Sequence, residues 1–442
     1  MPFAPIVRAP PRAKTVRRHP NEYENGQPRN ASSLEADLRS YVENFQRADA
    51  GADLYTAPIA VAVVNLFSKK PEGNLVKHGI IVRMVWLICS LASISLSENA
   101  FSQTQTQLVC REGDKECAAK AVQGHAVTKL DYWKHAFEKP VKQRIGAAPP
   151  ELVEYLNLDN IKNGFPERPR STLPAPDFLV DVHKAIAEMP ARVKHLLSAK
   201  LAGIYFMEDL GGTGYTDQIF DADSNPTAGF VILDPSVLSK QTANAWATWK
   251  ENTPFKAQPD FRLVAQIEKK PQNNRKNAIQ YILLHELAHV LAINEKIHPS
   301  WTIEPKDIPS TADYPFFLLS WSISKADNRF VTLFDEAFRQ RKDVVYYFGA
   351  KLPADQMVDT YDNLGRTNFA TLYSVTSPGD DFAEAFASYV HTVLMKKPFE
   401  IRIYKDGKIA KAYESCWTQK RCAQKRRVLE RFLNQGDPKV KS

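Results

Sequence analysis

Cysteine is scarce in this chain, and charge of one sign is not in large excess. Five cysteines occur in 442 residues. None of the close pairs has the C-x2-C spacing usual in a zinc site built from four cysteines, which argues against a zinc ribbon or finger. Lys and Arg together exceed Asp and Glu by eight. That excess is too mild for a nucleic-acid binder, where a clustered basic face is expected. The locally basic run "KRCAQKRR" (420–427) reads as the solvated face of a terminal helix. A nucleotide loop is missing as well. Gly211, Gly212 and Gly214 lack the G-x-G-x-x-G spacing, and no Gly-Lys-Ser/Thr follows them. No internal repeat is evident. The apolar stretch from Met84 to Leu96 falls short of the ~20 residues that a membrane-spanning helix needs.

What surrounds that stretch is informative. Lys77, His78 and Arg83 precede it, and the small residues Ala100 and Ser102 come just before Gln103. This is the three-part pattern of a secretory signal peptide over 76–102, cleaved before Gln103. Residues 1–75 are rich in Pro, Arg and Asn and read as a disordered or non-translated extension. Translation starting at Val76, through a GTG codon, puts the signal at the N-terminus where it belongs. The competing reading is a genuine extension followed by a membrane-anchoring helix. Cys89 lies within the signal, and the other cysteines form two close pairs, Cys110/Cys117 and Cys416/Cys422. Local disulfides in an oxidising compartment suit them. The expected location is periplasmic or secreted, with no stable membrane insertion after signal cleavage and no nucleic-acid partner.

The mature chain reads as a helical region and linker over 103–178, followed by the main domain over 179–442. Short strands are expected at "AGIYFMEDL" and "GFVILDP", the second being a candidate edge for pairing with an extended peptide. The order of elements predicts an α+β fold, mainly helical, with a small mixed sheet beside one central helix.

That helix contains "YILLHELAHVLA" (281–292). Leu283, Leu287, Val290 and Leu291 follow an i, i+4, i+7, i+8 pattern, so 277–292 is an amphipathic helix. His285 and His289 are the ends of an H-E-x-x-H motif. At i and i+4 they share one helix face and reach one metal ion. Three positions compete for a third ligand. Glu295 stands where a metzincin has its last histidine, but Ala292 replaces the glycine that permits the turn. His298 lies in the loop just beyond. Glu384 sits in "TSPGDDFAEAFASYVHTVL", where Ser377-Pro378-Gly379-Asp380 is a capping box that starts a helix near 378. Asp381, Glu384, Ser388 and His391 form a polar stripe on it, and the alanines beside Glu384 allow close helix approach.

"HELAH", followed about ninety residues later by "DDFAEAFASYV" with "NFATLYSVTSPG" before it, resembles the gluzincin metallopeptidases. Within these it is most similar to the anthrax lethal-factor and Pro-Pro endopeptidase group. The resemblance covers about residues 200–395 and is specific at the two helices. It implies a zincin-like domain, one Zn2+ held by His285, His289 and Glu384, and Glu286 as general base. Tyr373 is the best match to the group's assisting tyrosine, although it lies 11 residues before Glu384, a wider spacing than the group's pattern.

The chemistry implied is amide hydrolysis of a peptide or protein substrate. Zinc with two imidazoles and a carboxylate lowers the pKa of a bound water, and Glu286 takes its proton. Tyr373 or His391 then stabilises the oxyanion, and Asp381 or Ser388 orients a zinc histidine. Two other functions fit the same residues. One is a non-catalytic envelope protein stabilised by zinc, and the other a zinc amidase acting on cell-wall peptides.

Overall fold

The computed structural model describes residues 110–435 apart from Phe348. The extension over 1–75 and the signal over 76–102 lie outside the described residues. Coarsely, the fold is the expected mixture of helices and small sheets.

The principal sheet has five strands: β1 (Ile145–Ala147), β2 (Arg170–Ser171), β3 (Leu201–Glu208), β4 (Gly214–Phe220) and β5 (Pro226–Leu233). Its path runs β1-β3-β5-β4, with β2 paired to the end of β3. β5 is parallel to β3 on one side and antiparallel to β4 on the other. "GFVILDP" is therefore an interior strand, and the edge belongs to β4. Its apolar run has a physical cause, because both faces of β5 are covered. Val231 and Leu233 face one apolar cluster and Phe230 and Ile232 another.

The second cluster is built by α1 (Lys115–Gly124), α2 (Leu130–Phe137) and α3 (Pro150–Asn163). Trp133 of α2 packs its ring 5.7 Å from Phe230. Pro150 opens α3 and Gly164 closes it at φ 75°, a left-handed cap that suits glycine. The expected linker region thus contributes β1 and β2 to the sheet and roofs one of its faces. The disulfide Cys110–Cys117 ties down the start of α1, and Cys416–Cys422 closes a second small loop, both as expected.

The opposite face carries α4 (Pro176–Ala187), α5 (Ala191–Lys200), α6 (Pro235–Leu238), α7 (Ala243–Asn252) and the central α8 (Arg275–Ala292). Asn274 caps α8 by accepting the amide of Asn277. The helix is buried from Asn277 to Ala292, because the sheet, α4, α7 and a later helix surround it. Two-residue strands β6 (Phe255–Lys256) and β10 (Leu352–Pro353) pair with each other. β7 (Phe261–Gln266) joins β11 (Glu400–Lys405) and β12 (Lys408–Glu414), while β8 (Trp321–Ser324) and β9 (Arg329–Thr332) make a hairpin. The remaining helices are α9 (Met357–Gly365), α10 (Pro378–Tyr389) and α11 (Ala423–Asn434).

α10 starts where the capping box predicts. Ser377 Oγ accepts the amide of Asp380, and Pro378 occupies the first turn. The basic run on α11 is not a solvated face throughout. Lys425 is fully buried on Asp381, and Arg421 donates to the carbonyls of Thr367 and Phe369.

Candidate metal centre

Two helices meet at the site, α8 along its middle and α10 at its N-terminus. The imidazoles of His285 and His289 bring their Nε2 atoms within 3.2 Å of each other. Neither edge can be occupied by the helix itself, since i and i+4 side chains rise together from one face. Asp380, in the first turn of α10, completes the group. Its Oδ1 is 3.8 Å from His285 Nε2 and 3.7 Å from His289 Nε2. Ligand atoms about 3.3 Å apart are what a tetrahedral ion with ~2 Å bonds requires. These three residues are all buried and can hold a metal ion.

The hydrogen bonding of Asp380 supports that reading. Oδ2 accepts from the hydroxyls of Thr376 (2.9 Å) and Ser377 (2.8 Å). Oδ1 is buried with no partner. A buried carboxylate oxygen without a partner is costly, and a cation placed between it and the two Nε2 atoms removes the cost. Burial raises the Asp380 pKa, partly offset by His285. His289 is pushed well below the usual histidine value, first by burial and then by His285, which leaves it neutral and ready to ligate.

Glu384 is placed one turn further along α10, on the other side of His285. Its Oε1 lies 2.8 Å from His285 Nδ1, close enough for an ion pair although the ring N–H does not aim along the line. The same oxygen receives Lys250 Nζ of α7 at 2.5 Å, and Oε2 accepts from Thr371 at 2.7 Å. Both oxygens of Glu384 are thus committed to protein groups. The sequence motif predicts Glu384 as a ligand; the fold brings Asp380 to the Nε2 side and puts Glu384 behind the ring. A carboxylate on the distal nitrogen of a metal histidine fixes its tautomer and orientation. Burial works against ionisation of Glu384, but Lys250 and His285 outweigh it and hold its pKa well below the usual range. The pKa of His285 is raised, since Glu384 outweighs burial.

Glu286 faces the sheet edge. Thr216 on β4 donates to its Oε2 at 2.7 Å, while Oε1 is buried and unpartnered. The contact depends on Gly214, where an added Cβ would lie 2.8 Å from Oε1. Burial pushes the Glu286 carboxyl up to about 7, the charge on His285 opposing.

Tyr373 lies flat against His285, with ring centroids 5.5 Å apart and planes inclined by 27°. Lys250 Nζ sits 4.7 Å from the Tyr373 ring centre on the way to Glu384. Counted from Asp380, Tyr373 is seven residues upstream rather than eleven. Tyr347 packs edge-on to it at 6.0 Å, has φ 68°, and carries a buried hydroxyl with no partner.

His391 is elsewhere. Its Nε2 is taken by the carbonyls of Ile267 (2.8 Å) and Pro398 (3.2 Å), and burial pushes its pKa down to about 4. It braces β7 and the segment before β11 and is not available to an oxyanion. A π-helical turn over Val390–Leu394 breaks the helical phase there. Asp381 pairs with Lys425 and accepts Trp321 Nε1, and Ser388 accepts Trp417 Nε1, so both are engaged away from His285 and His289. Glu295 pairs with Lys200 at 2.7 Å. His298 remains near His289, lining a cleft beside it.

Sequence reasoning missed Asp380, Thr216, Tyr347 and Lys250. For Asp380 a signal existed: the acid of a capping box, four residues before Glu384 on the same helix face. Lys250 and Tyr347 carry none. Among the described residues no helix is long and apolar enough to cross a membrane. In comparison with known proteins, the chain matches no family model, no curated protein and no solved structure.

Proposed function

We propose that the chain is an exported zinc metallopeptidase with a zincin-like catalytic domain, its zinc held by His285, His289 and Asp380. The observation that carries this reading is the pair of unpartnered carboxylate oxygens, Asp380 Oδ1 and Glu286 Oε1, beside the two histidines. Three ligands leave a position open for water, as catalytic zinc sites do and structural ones do not. A non-catalytic zinc site has no use for Glu286.

Zinc bound there supplies Lewis acidity that lowers the pKa of a coordinated water toward ~7. Glu286 Oε1 accepts the proton of the attacking water and later delivers it to the leaving amine. Thr216 holds the other oxygen and so fixes the carboxylate plane. Glu384 and Thr371 hold His285 in orientation, with Lys250 neutralising Glu384. Tyr373, stacked on His285, donates its hydroxyl to the developing oxyanion. β4 borders Glu286 and pairs with β5 on one side; on the other a single bridge from Lys129 meets its last residue, Phe220, and an extended peptide would pair along the rest. The two disulfides suit an oxidising compartment and hence export.

The test is cleavage of a mixed peptide library by the zinc-loaded protein and by Glu286→Gln. The expected outcome is cleavage by the first and a loss on the order of 10² or more in the second, the scale of a lost general base, at unchanged metal content. Equal activity in both proteins refutes the role of Glu286. Cleavage of cell-wall peptides alone would favour the amidase reading over a general peptidase.

A further inference from the structure

A cleft of about 270 Å3 opens beside His289. Trp301, Ile303, Pro305 and Phe330 supply apolar parts of its wall, and Gly379 at the start of α10 brings it to His289. Its exposed surface is mainly apolar, although Glu304, Asn328, Arg329, Thr376 and Ser377 also line it. His298 is part of the wall and is buried. Its Nδ1 lies 2.8 Å from the carbonyl of Pro299. A carbonyl only accepts, so Nδ1 carries the hydrogen and Nε2 is left with a lone pair. Nε2 is buried and has no partner. The ring is held between Trp301 and Phe382, each 6.3 Å away by centroid. Burial lowers the His298 pKa and keeps the imidazole neutral.

A buried acceptor without a donor is disfavoured, and something that enters the cleft with an N–H or O–H relieves it. We infer that this cleft is a specificity subsite for a bulky side chain that is apolar along its body and carries a hydrogen-bond donor at its tip, tyrosine or tryptophan, with His298 Nε2 as the acceptor. Because His289 lines the same cleft, the selected residue lies beside the scissile bond. Ser or Thr is too short to fill the cleft. A site of this construction discriminates between isosteres by the donor alone, since the analogue without it leaves Nε2 unpaired. The inference rests on the peptidase reading for the place of the residue but not for its chemistry.

The experiment has two readouts. The first is kcat/KM for matched peptides that differ only as Tyr against Phe, placed on each side of the scissile bond. The expected result is a preference for Tyr of about 10-fold at one position, the scale of one recovered hydrogen bond. In His298→Leu the preference disappears, while metal content is unchanged. The second readout is calorimetric binding of the same peptides to zinc-loaded Glu286→Gln, which needs no turnover. A Tyr preference in binding without cleavage of any peptide leaves the subsite standing and removes the peptidase reading. Equal binding of the Tyr and Phe peptides overturns the subsite, as does a Tyr preference that survives in His298→Leu. The wild-type comparison alone decides the matter if that variant does not fold.

Discussion

Removing Asp380 and removing Glu384 should damage the protein in opposite ways, and the structure sets the size of each effect. Apparent zinc-binding free energies of about 10–16 kcal/mol in four-ligand sites amount to ~2.5–4 kcal/mol per ligand. Asp380→Ala should therefore weaken zinc by about 10²- to 10³-fold. It should not unfold the metal-free protein, because the carboxylate it removes has an unpartnered buried oxygen and Ser377 still caps the amide at position 380. Glu384→Ala removes only the support of His285, worth about 10- to 100-fold in metal affinity. It does leave Lys250, only 4% exposed, without its carboxylate partner. An uncompensated buried charge costs about 3–5 kcal/mol, so the metal-free variant should lose that much stability. Glu384→Gln, which keeps acceptors for Lys250 and Thr371, should lose less.

The assay is zinc affinity by competition with a chromophoric chelator, paired with urea unfolding of each variant in excess chelator. The expected pattern crosses. Asp380→Ala has the weaker zinc and the more stable apoprotein; Glu384→Ala has the stronger zinc and the less stable apoprotein. If Glu384→Ala abolishes zinc binding while Asp380→Ala keeps it, Glu384 is the third ligand and the reasoning from the committed oxygens fails.

Two further expectations concern buried charge. In the metal-free protein the Glu286 pKa is raised to about 7, chiefly by burial, so the folded state holds its proton more tightly than the unfolded chain. The stability this group provides is present at low pH and is lost as pH rises through about 7. Glu286→Gln should accordingly gain on the wild type by about 3 kcal/mol between pH 4 and pH 8, most of the ~2.5-unit shift converted at 1.36 kcal/mol per unit; a pH-independent difference in urea midpoints would count against a desolvated carboxyl. Lys425→Met should cost about 3–5 kcal/mol by stranding Asp381, and adding Asp381→Leu should recover much of that loss in a double-mutant cycle.

The sequence was most legible where the determinants are local. The i, i+4 histidines, the Ser377 cap with Pro378 behind it, and the closely spaced cysteine pairs each specify their geometry within a few residues. All appear as expected. It was least legible where two residues satisfy one local rule and a third element chooses between them. Asp380 and Glu384 are four apart on one face of α10, and each suits a metal. The choice depends on how far the helix N-terminus advances over His289, and that is set by packing against α8 and by Lys250 arriving from α7. The polar stripe failed for a related reason. Asp381 and Ser388 read as site-facing because their partners, Lys425, Trp321 and Trp417, are distant in sequence. Such partners turn a polar stripe into a buried one, and no periodicity reports them. His391 adds a different lesson, since extrapolating a 3.6-residue phase across a π-turn aims the last side chain at the wrong neighbour. What the fold adds to the motif is therefore a division of labour between two acids: one with an oxygen left free for a cation, the other bound on both oxygens so that it can hold a histidine still. That asymmetry of hydrogen bonding, more than the identity of either residue, is the physical basis for reading this centre as one built to bind a metal and leave a position open.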